Sequence, residues 1–303
     1  MWFKNLQIYR INDGFSLDLS TLSKTLEEQA FTPCSQQELF KLGWVPPLGK
    51  LSEELTLVAQ QAALITLRKE EKVIPAAVIR EMVEEKAALI EAAEERRVYR
   101  KEKDQLKEEI LFECMPKALR KSRRTHALID VKAGVIIVDA ASPTRAEELI
   151  SLLRQSVGSL PLSLTQYNLS PAVLMTQWVN GEAMPEGWTL GAECELRESG
   201  DDGAIFKCRR HDLLCEEIQS HITAGKQVVQ LALQWQEQLN FVLTQEGHVK
   251  RLNFGDDLKQ EAQDSGADSQ ALIDSEFNLM LLSLRAFLPQ LAEALGGEKS
   301  DAV

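Results

Sequence analysis

Apolar and polar positions in the first seventy residues predict strands and one helix. Residues 3–11 alternate loosely between apolar and polar side chains, as a half-buried strand does. Residues 20–30 have the spacing of an amphipathic helix, with Ser20 or Thr21 as its N-cap. The apolar runs that follow predict a hairpin with strands at 55–59 and 62–68, ending in a charged turn at 69–72.

The segment between Pro75 and Pro116 has the strongest helix pattern in the chain. Its forty residues contain no glycine or proline and are dominated by Ala, Leu, Glu, Lys and Arg. A single straight helix of this length would be about 60 Å long, so the segment either projects from the body or folds back as two helices. Asp104 is the candidate cap of the second helix. We therefore interpret residues 76–116 as a helical projection.

The rest of the chain continues this mixture of strands and helices. In chain order the pattern predicts a hairpin (127–131 and 135–140), a helix (142–156), strands (172–179, 193–197 and 204–209), a helix (215–223), a hairpin (234–254), an acidic linker (256–270) and a buried or interfacial helix (271–295). Hairpins interspersed with helices place the chain in the α+β class.

An internal repeat suggests two related α/β units. At an offset of 140 residues, 64–86 matches 204–226, and in both copies a strand runs into a charged turn and a helix, with a hairpin later. If the two copies are equivalent, Lys69 and Arg209 occupy the same position in their respective turns. We expect three regions: a central α+β domain (1–75 and 117–170), a helical tip insertion (76–116) and a base α+β domain with the C-terminal helix (171–303).

Length and composition fit a globular protein and exclude several classes. The 303 residues correspond to two domains at ~150 residues each, and 44% hydrophobic with 26% charged residues excludes a disordered chain. No apolar run reaches the ~18 residues that cross a bilayer, and the start of the chain lacks the layout of a signal peptide. Five cysteines, an odd count, favour free thiols over a disulfide framework. We expect a cytoplasmic protein that does not bind membranes.

Charge is distributed unevenly along the chain. The net charge of -12 alone disfavours nucleic acid as a partner. However, the segment from Arg96 to Arg124 has eleven basic and five acidic residues, a charge of +6, so the remainder carries -18. Five of these cations follow one another without an intervening acid: Lys117, Arg120, Lys121, Arg123 and Arg124. This stretch favours a surface for nucleic acid or another polyanion.

For the other basic residues, an ordinary structural explanation competes with a polyanion-binding role. Acids interleave with Arg96, Arg97 and Arg100, so a solvated helix face also explains them. A second basic set lies at a predicted strand end, and alone it is typical of a plain surface turn: Lys207, Arg209, Arg210 and His211, with Lys226 after a glycine. Beside the first cluster, this set favours the same polyanion surface.

No motif in the chain indicates catalysis or a bound metal. The nucleotide-binding, zinc-protease and serine-hydrolase signatures are absent. Neighbouring cations oppose a bound metal, and the spacing of a zinc finger does not fit the nearby thiols and imidazoles, Cys208, His211, Cys215 and His221. We expect no metal, no cofactor and no enzyme activity.

Short blocks over nearly the whole length carry a family resemblance. In the first half they are WFKNL (2–6), AFTPC (30–34), GWVPP (43–47), RKEEK (68–72) and the segment 130–139. In the second half they are GSLP (158–161), EEI (216–218), AGK (224–226), LAL (231–233), KRL (250–252) and GG (296–297). With these blocks the chain resembles the recombination-associated protein RdgC family.

The resemblance implies a bacterial, nucleoid-associated protein that binds double-stranded and single-stranded DNA without sequence preference and restrains RecA-promoted recombination. It also implies a ring-shaped homodimer whose positive central hole surrounds duplex DNA. By position, residues that line the hole would include Arg96, Arg210, His211 and Lys226, with Arg120 near the contact that closes the ring. In that contact Leu119 takes the place of an apolar finger, where we expected an aromatic residue; leucine suits packing rather than stacking.

Three hypotheses follow from the sequence. The first is a non-enzymatic DNA-binding homodimer that limits access of the RecA recombinase to DNA. The second is a protein-interaction module that docks an acidic partner through the helical projection, and the third is an undetected nuclease. Under the first hypothesis the DNA contacts are Arg96, Arg97, Arg100, Lys117, Arg120, Lys121, Arg123, Arg124, Lys207, Arg209, Arg210, His211 and Lys226.

Overall fold

The computed structural model describes residues 2–12, 14–15, 17–198, 200, 202–265 and 268–299. Within them, helices and two antiparallel sheets form an α+β fold, which confirms the predicted class. The first sheet consists of β1 (Gln7–Ile11), β2 (Phe40–Trp44), β3 (Thr56–Ala59), β4 (Ala62–Val73), β5 (Leu119–Asp130), β6 (Val135–Val138) and β7 (Leu162–Leu164).

Two long strands dominate this first sheet. Its order is β2-β4-β5-β6-β1-β7, and β3 pairs with β4 as well. β4 and β5 have twelve residues each and pair along their whole length, from Ala62 opposite Asp130 to Val73 opposite Leu119. The predicted hairpin of residues 55–59 and 62–68 is confirmed, because β3 pairs with β4 and Ala59 lies opposite Ala62.

The second sheet has five strands in the order β12-β11-β10-β8-β9. They are β8 (Trp188–Arg197), β9 (Ile205–Arg209), β10 (Gln227–Trp235), β11 (Leu239–Thr244) and β12 (Val249–Phe254). β9 is an edge strand that pairs with β8 alone within the described residues. The last three strands form a meander.

The helices are α1 (Leu19–Glu27), α2 (Ala76–Glu94), α3 (Arg100–Cys114), α4 (Pro143–Val157), α5 (Pro171–Val179), α6 (Glu216–Thr223), α7 (Asp256–Ser265) and α8 (Ser269–Ala294). Pro143 is well suited to the first position of α4, because the N–H that proline lacks would have no partner within the helix there. The cap of α1 is Asp18, whose carboxylate accepts from the Ser20 amide, so the predicted caps Ser20 and Thr21 are wrong. None of the described helices is long and apolar enough to span a membrane.

One hydrophobic core joins the two sheets to α8. Leu64 and Leu128, neighbours on one face of the first sheet, belong to the same buried cluster as Phe277 and Phe287 of α8 and the inner face of the second sheet. The other face of the first sheet packs on α1 and α4. α2 and α3 have a separate small core that includes Ile110. The projection is therefore packed by its own apolar residues.

The helical projection folds back on itself, which was one of the two predicted arrangements. α2 ends at Glu94, and the next residue, Glu95, has a left-handed φ of 50° that reverses the chain. α3 begins after Tyr99 and Glu102 forms a capping box there, so the predicted cap Asp104 is wrong. The helix signal alone could not locate this break because no glycine or proline marks it.

Some predicted elements have the wrong type or length. Residues 69–72 continue β4 instead of turning, because residues 120–123 of β5 pair with them. The predicted strand 172–179 is α5, an apolar run whose period cannot distinguish a strand from a buried helix. The predicted linker 256–270 contains α7, which packs on α8 through the buried Ala262. The predicted hairpin 234–254 is formed by β11 and β12, which turn at residues 245–248, but it is shorter than predicted because residues 234–235 belong to β10.

The two segments of the internal repeat differ in their strand pairing. Both contain a strand followed by a helix, β4 with α2 and β9 with α6. However, β4 pairs directly with β5, whereas β8 lies between β9 and β10. Lys69 is inside β4 rather than in a turn, so it does not correspond to Arg209 at the end of β9. The duplication and the three-region division at 1–75 with 117–170, 76–116 and 171–303 stay predictions.

Candidate nucleic-acid interface

Half of the β4–β5 ladder lies beyond the hydrophobic core and is charged on both strands. Residues 62–67 and the facing 125–130 are mostly buried. Residues 68–73 and 119–124 carry most of the charges of the two strands, and we call this half the β4–β5 arm. It connects the first sheet to the helical projection, because β4 precedes α2 and β5 follows α3.

The pairing register divides the side chains of the arm between two faces. Residues directly opposite each other in an antiparallel pair share a face. The inner face, on the side of the sheet where α8 and the second sheet pack, therefore carries Arg68, Glu70, Lys72, Arg120, Ser122 and Arg124. The outer face, on the side of α1 and α4, carries Lys69, Glu71, Val73, Leu119, Lys121 and Arg123.

A buried carboxylate organises the inner face. Glu70 is 5% exposed, and its Oε2 accepts from Nη2 of Arg68 at 3.3 Å and from Oγ of Ser122 at 3.4 Å. Its Oε1 accepts from the amide of Cys34 at 3.0 Å and from Nη1 of Arg120 at 3.5 Å. Arg68 and Arg120 are thus held beside one anion, which fixes their guanidinium groups on the inner face.

A second carboxylate neutralises cations on the outer face. Glu148 of α4 binds Nζ of Lys69 and Nη2 of Arg123, the latter at 2.6 Å. Burial raises the pKa of Glu148, but the hydrogen bonds from Lys69 and Arg123 outweigh it and lower the pKa overall. Lys69 and Arg123 face each other across the ladder, so Glu148 offsets the repulsion of two like charges.

The expectation of five uncompensated cations is therefore wrong for Arg120 and Arg123. Their acids lie 50 and 25 residues away in sequence, so a local charge count does not include them. Over the described ranges, Lys117, Lys121 and Arg124 make no ion pair. These three are available to a polyanion.

Arg145 is a cation that the sequence analysis missed. It belongs to the first turn of α4, and its Nη2 donates to the carbonyl oxygen of Arg124 at 3.3 Å and to Oγ1 of Thr125 at 3.4 Å. It thereby adds a positive charge on the outer face, next to the backbone of Arg124. The sequence could not reveal this contact, because it depends on the packing of α4 on β5, and Arg145 is 21 residues from Arg124 along the chain.

At the tip of the projection, one of the three predicted DNA contacts is engaged in ion pairs within the chain. Arg96 donates to Glu94 from Nε at 2.5 Å and to Glu102 from Nη1 and Nη2 at 2.9 and 2.8 Å. The hydrogen bonds from Arg96 and from the Tyr99 amide lower the pKa of Glu102. Arg96 therefore stabilises the turn between the helices. The exposed Arg97 and Arg100 have no ion pair in the described structure.

The predicted basic set of the second sheet is divided between two places: β9 with the turn after it, and the residue before β10. Lys207 of β9 pairs with Glu195 at 3.0 Å. Arg209 faces Glu193, but that carboxylate binds Arg251 at 2.7 Å instead, which leaves Arg209 without an ion pair among the described residues. Arg210 follows in a left-handed conformation, with φ of 56°.

Lys226 immediately precedes β10, at the level of the start of β9. It precedes Gln227, which pairs with Arg197 of β8, and Arg197 also pairs with Ile205 at the start of β9. Four residues of strand, about 13 Å, therefore separate the level of Lys226 from that of Arg209. The exposed His211 lies by Arg209, where its Nδ1 contacts the carbonyl oxygen of Asp212 at 2.9 Å. The structure brings Arg209, Arg210 and His211 together and keeps Lys226 apart from them.

Leu119 is the first residue of β5, on the outer face at the distal end of the arm. Its side chain is 79% exposed, and its cross-strand partner Val73 is 43% exposed. An exposed aliphatic pair beside charged residues favours contact with another surface.

Among the described residues, the buried acids are held in ion pairs: Glu70 with Arg68 and Arg120, Asp130 with Arg285, and Glu195 with Lys207. The half-buried Asp139 accepts through Oδ1 from the amides of Lys4 and Asn5 at 3.1 and 2.8 Å. In the ranges that the structure describes, no group of three or more His, Cys, Asp and Glu could hold a metal ion.

Comparison with known proteins yields one consistent family over the whole chain. Residues 1–298 match the family model described as "RdgC: Putative exonuclease, RdgC". The chain is 43% identical over 302 residues to the recombination-associated protein RdgC of Tolumonas auensis, covering 99% of this chain and 100% of that protein.

Two Pseudomonas proteins with the same name are equally similar. The identity is 43% over 301 residues with the Pseudomonas aeruginosa protein, covering 99% of this chain and 98% of the relative. It is 44% over 303 residues with the Pseudomonas fluorescens protein, with 99% of each chain covered. The family description mentions an exonuclease, whereas the names of these relatives mention recombination.

Proposed function

The chain belongs to the RdgC family of recombination-associated proteins, and from this premise we propose that it binds DNA without sequence preference. In this proposal two copies form a ring around duplex DNA and thereby limit RecA-promoted recombination. Single-stranded DNA is a second ligand of the same basic surface, and the protein is associated with the nucleoid in the cytoplasm.

The observation that carries this proposal is a set of cations without ion pairs in the described residues, in a chain of net charge -12. They follow the arm from the projection to the first sheet and recur at the edge of the second sheet: Arg97, Arg100, Lys117, Lys121, Arg124, Arg209, Arg210 and Lys226. The arm is about 20 Å long at 3.4 Å per residue, a length of about six base pairs. Lys and Arg contacts to phosphates add affinity that does not depend on base sequence.

Enclosure by a ring is consistent with this sparse set of cations. The inner face of the arm, which carries Arg124, is on the side of the first sheet where the second sheet packs, whereas Lys121 is on the outer face. A closed ring would retain DNA with few phosphate contacts, while the acidic remainder of the surface would repel DNA from the outside. DNA held in this way is inaccessible to a recombinase filament.

The test of this proposal is binding to two unrelated duplexes of equal length across a salt series. Fluorescence anisotropy should give equal affinities for both sequences, and log K should fall linearly with log salt. Sizing chromatography with light scattering on the same samples should report two chains per particle. No binding at low salt would contradict the proposal and favour a protein-interaction module that docks an acidic partner.

Exonuclease activity is a second candidate function, favoured by the description of the family model. Incubating end-labelled duplex with the protein and Mg²⁺ or Mn²⁺ tests it. Because Glu70, Glu148 and Asp130 are held in ion pairs, we expect the labelled ends to remain intact. Metal-dependent shortening of the label would support the nuclease instead.

A Leu119→Glu substitution should weaken the contact that closes the ring. Burying a leucine side chain contributes about 1.5–3 kcal/mol, so its loss should weaken the dimer about 10- to 100-fold. Analytical ultracentrifugation over a dilution series measures this change. Val58→Glu is a matched control, because Val58 is 48% exposed on β3, away from the arm. An equal shift in both variants, or none in Leu119→Glu, would contradict the role of Leu119.

A further inference from the structure

Two of the five cysteines face each other across the edge of the second sheet. Cys194 of β8 and Cys208 of β9 are direct cross-strand partners. Such partners in antiparallel strands have Cα atoms about 4.5–5.5 Å apart. Disulfide-bonded cysteines have Cα atoms about 4.4–6.8 Å apart, so this pair can be bridged without moving the backbone.

A third thiol lies beside this pair and is more accessible. Cys194 and Cys208 are buried, whereas Cys215, immediately before α6, is partly exposed and packs against the same apolar cluster. Sγ of Cys215 is 3.6 Å from Nδ1 of His211. Burial, together with the neighbouring Cys208 and Cys215 thiols, raises the pKa of Cys194 to about 12. The buried pair therefore holds little thiolate at neutral pH, and an oxidant meets Cys215 first.

We propose that Cys194, Cys208 and Cys215 form a site of reversible oxidation by peroxides, which ends in a Cys194–Cys208 disulfide. In the first step the sulfur of Cys215 attacks hydrogen peroxide, which forms a sulfenic acid and releases one water. The sulfur of Cys208 then attacks that of Cys215, which forms a disulfide and releases a second water. Finally the sulfur of Cys194 attacks that of Cys208 and returns Cys215 to the thiol. In total two thiols lose two electrons and two protons, and one peroxide is reduced to two waters.

The disulfide would fix the edge of the second sheet covalently. β9 pairs with β8 alone in the described residues, so that ladder makes all of its strand pairing. β9 contains Lys207 and Arg209 and leads directly into Arg210. Oxidation would thus anchor β9, the strand that precedes the turn at Arg210. This effect does not depend on what the turn binds.

The test uses the reduced full-length protein and hydrogen peroxide. After treatment the remaining thiols are alkylated in denaturant and counted by mass spectrometry. We expect two of the five thiols to be lost, a linked peptide pair containing Cys194 and Cys208, and full reversal by dithiothreitol. Loss of no thiol, overoxidation without a linked pair, or a link between two chains would overturn the proposal, and none of these measurements requires a variant.

Variants separate the roles of the three thiols. Cys215→Ser should form the same link at least about tenfold more slowly, since the direct reaction must begin at a buried thiol. Cys208→Ala should lose the linked peptide. Cys34→Ser and Cys114→Ser are matched controls, because those thiols contact Glu70 and Met82 in the first sheet and the projection. Unchanged rates in Cys215→Ser, or loss of the link in either control, would contradict the assigned order of reaction.

Discussion

Replacing Arg285 by methionine is expected to lower the free energy of unfolding by about 3–5 kcal/mol, because it leaves the Asp130 carboxylate buried without its cation. Asp130 is 2% exposed at the end of β5. Arg285 of α8 donates from Nε to its Oδ2 at 2.7 Å and from Nη2 to its Oδ1 at 2.8 Å. Nη2 also donates to the carbonyl oxygen of Gln60 at 2.8 Å. The pair thus connects the first sheet to the C-terminal helix.

Equilibrium unfolding in urea, followed by tryptophan fluorescence, measures this loss. Arg251→Met is the matched control: Arg251 also lies 2.7 Å from a carboxylate, that of Glu193, but its side chain is 56% exposed. An exposed pair contributes about 0.2–1 kcal/mol, so the control should lose no more than that. Adding Asp130→Asn to Arg285→Met should recover part of the loss, because the unpaired charge is removed. Equal losses for Arg285→Met and Arg251→Met would show that burial does not set the strength of the pair.

Much of the fold was predictable because local signals determine it. The helical composition of residues 76–115 predicts α2 and α3, and the apolar stripe of residues 271–295 predicts α8. A proline after a serine locates the start of α4. The break between α2 and α3 and the helical state of α5 were not predictable in this way. The first depends on one left-handed residue, Glu95, and the second on tertiary burial of a short apolar run.

The charge balance of the candidate site was not predictable from the sequence. The run of cations from Lys117 to Arg124 lies in the turn before β5 and in the distal part of β5. Which of them are free depends on the register of β5 with β4 and on the packing of α4. That packing places Glu148 on Arg123, and the register places Glu70 near Arg120. A charge count along the chain contains neither contact, and for the same reason it could not place Arg145 beside Arg124.

Charge reversal at the three cations of this stretch that lack ion pairs is expected to weaken DNA binding roughly 100-fold at moderate salt. The variant is Lys117→Glu/Lys121→Glu/Arg124→Glu. Each phosphate contact contributes about 0.9 to the slope of log K against log salt, so loss of three contacts should reduce that slope by about 3. The loss should be the same for unrelated duplexes, because phosphate contacts carry no sequence information. Fluorescence anisotropy across a salt series measures both quantities.

Two controls distinguish a specific surface from net charge and from folding. Lys24→Glu/Lys132→Glu/Lys299→Glu makes the same change in net charge at lysines outside the arm, so its affinity should change by less than about tenfold. Arg123→Gln removes a cation that Glu148 already neutralises, so it should lower stability while the salt slope stays unchanged. If both triple variants lost affinity equally, net charge rather than the arm would govern binding. If Arg123→Gln flattened the slope as much as the loss of a free cation does, the division between paired and free cations would be wrong.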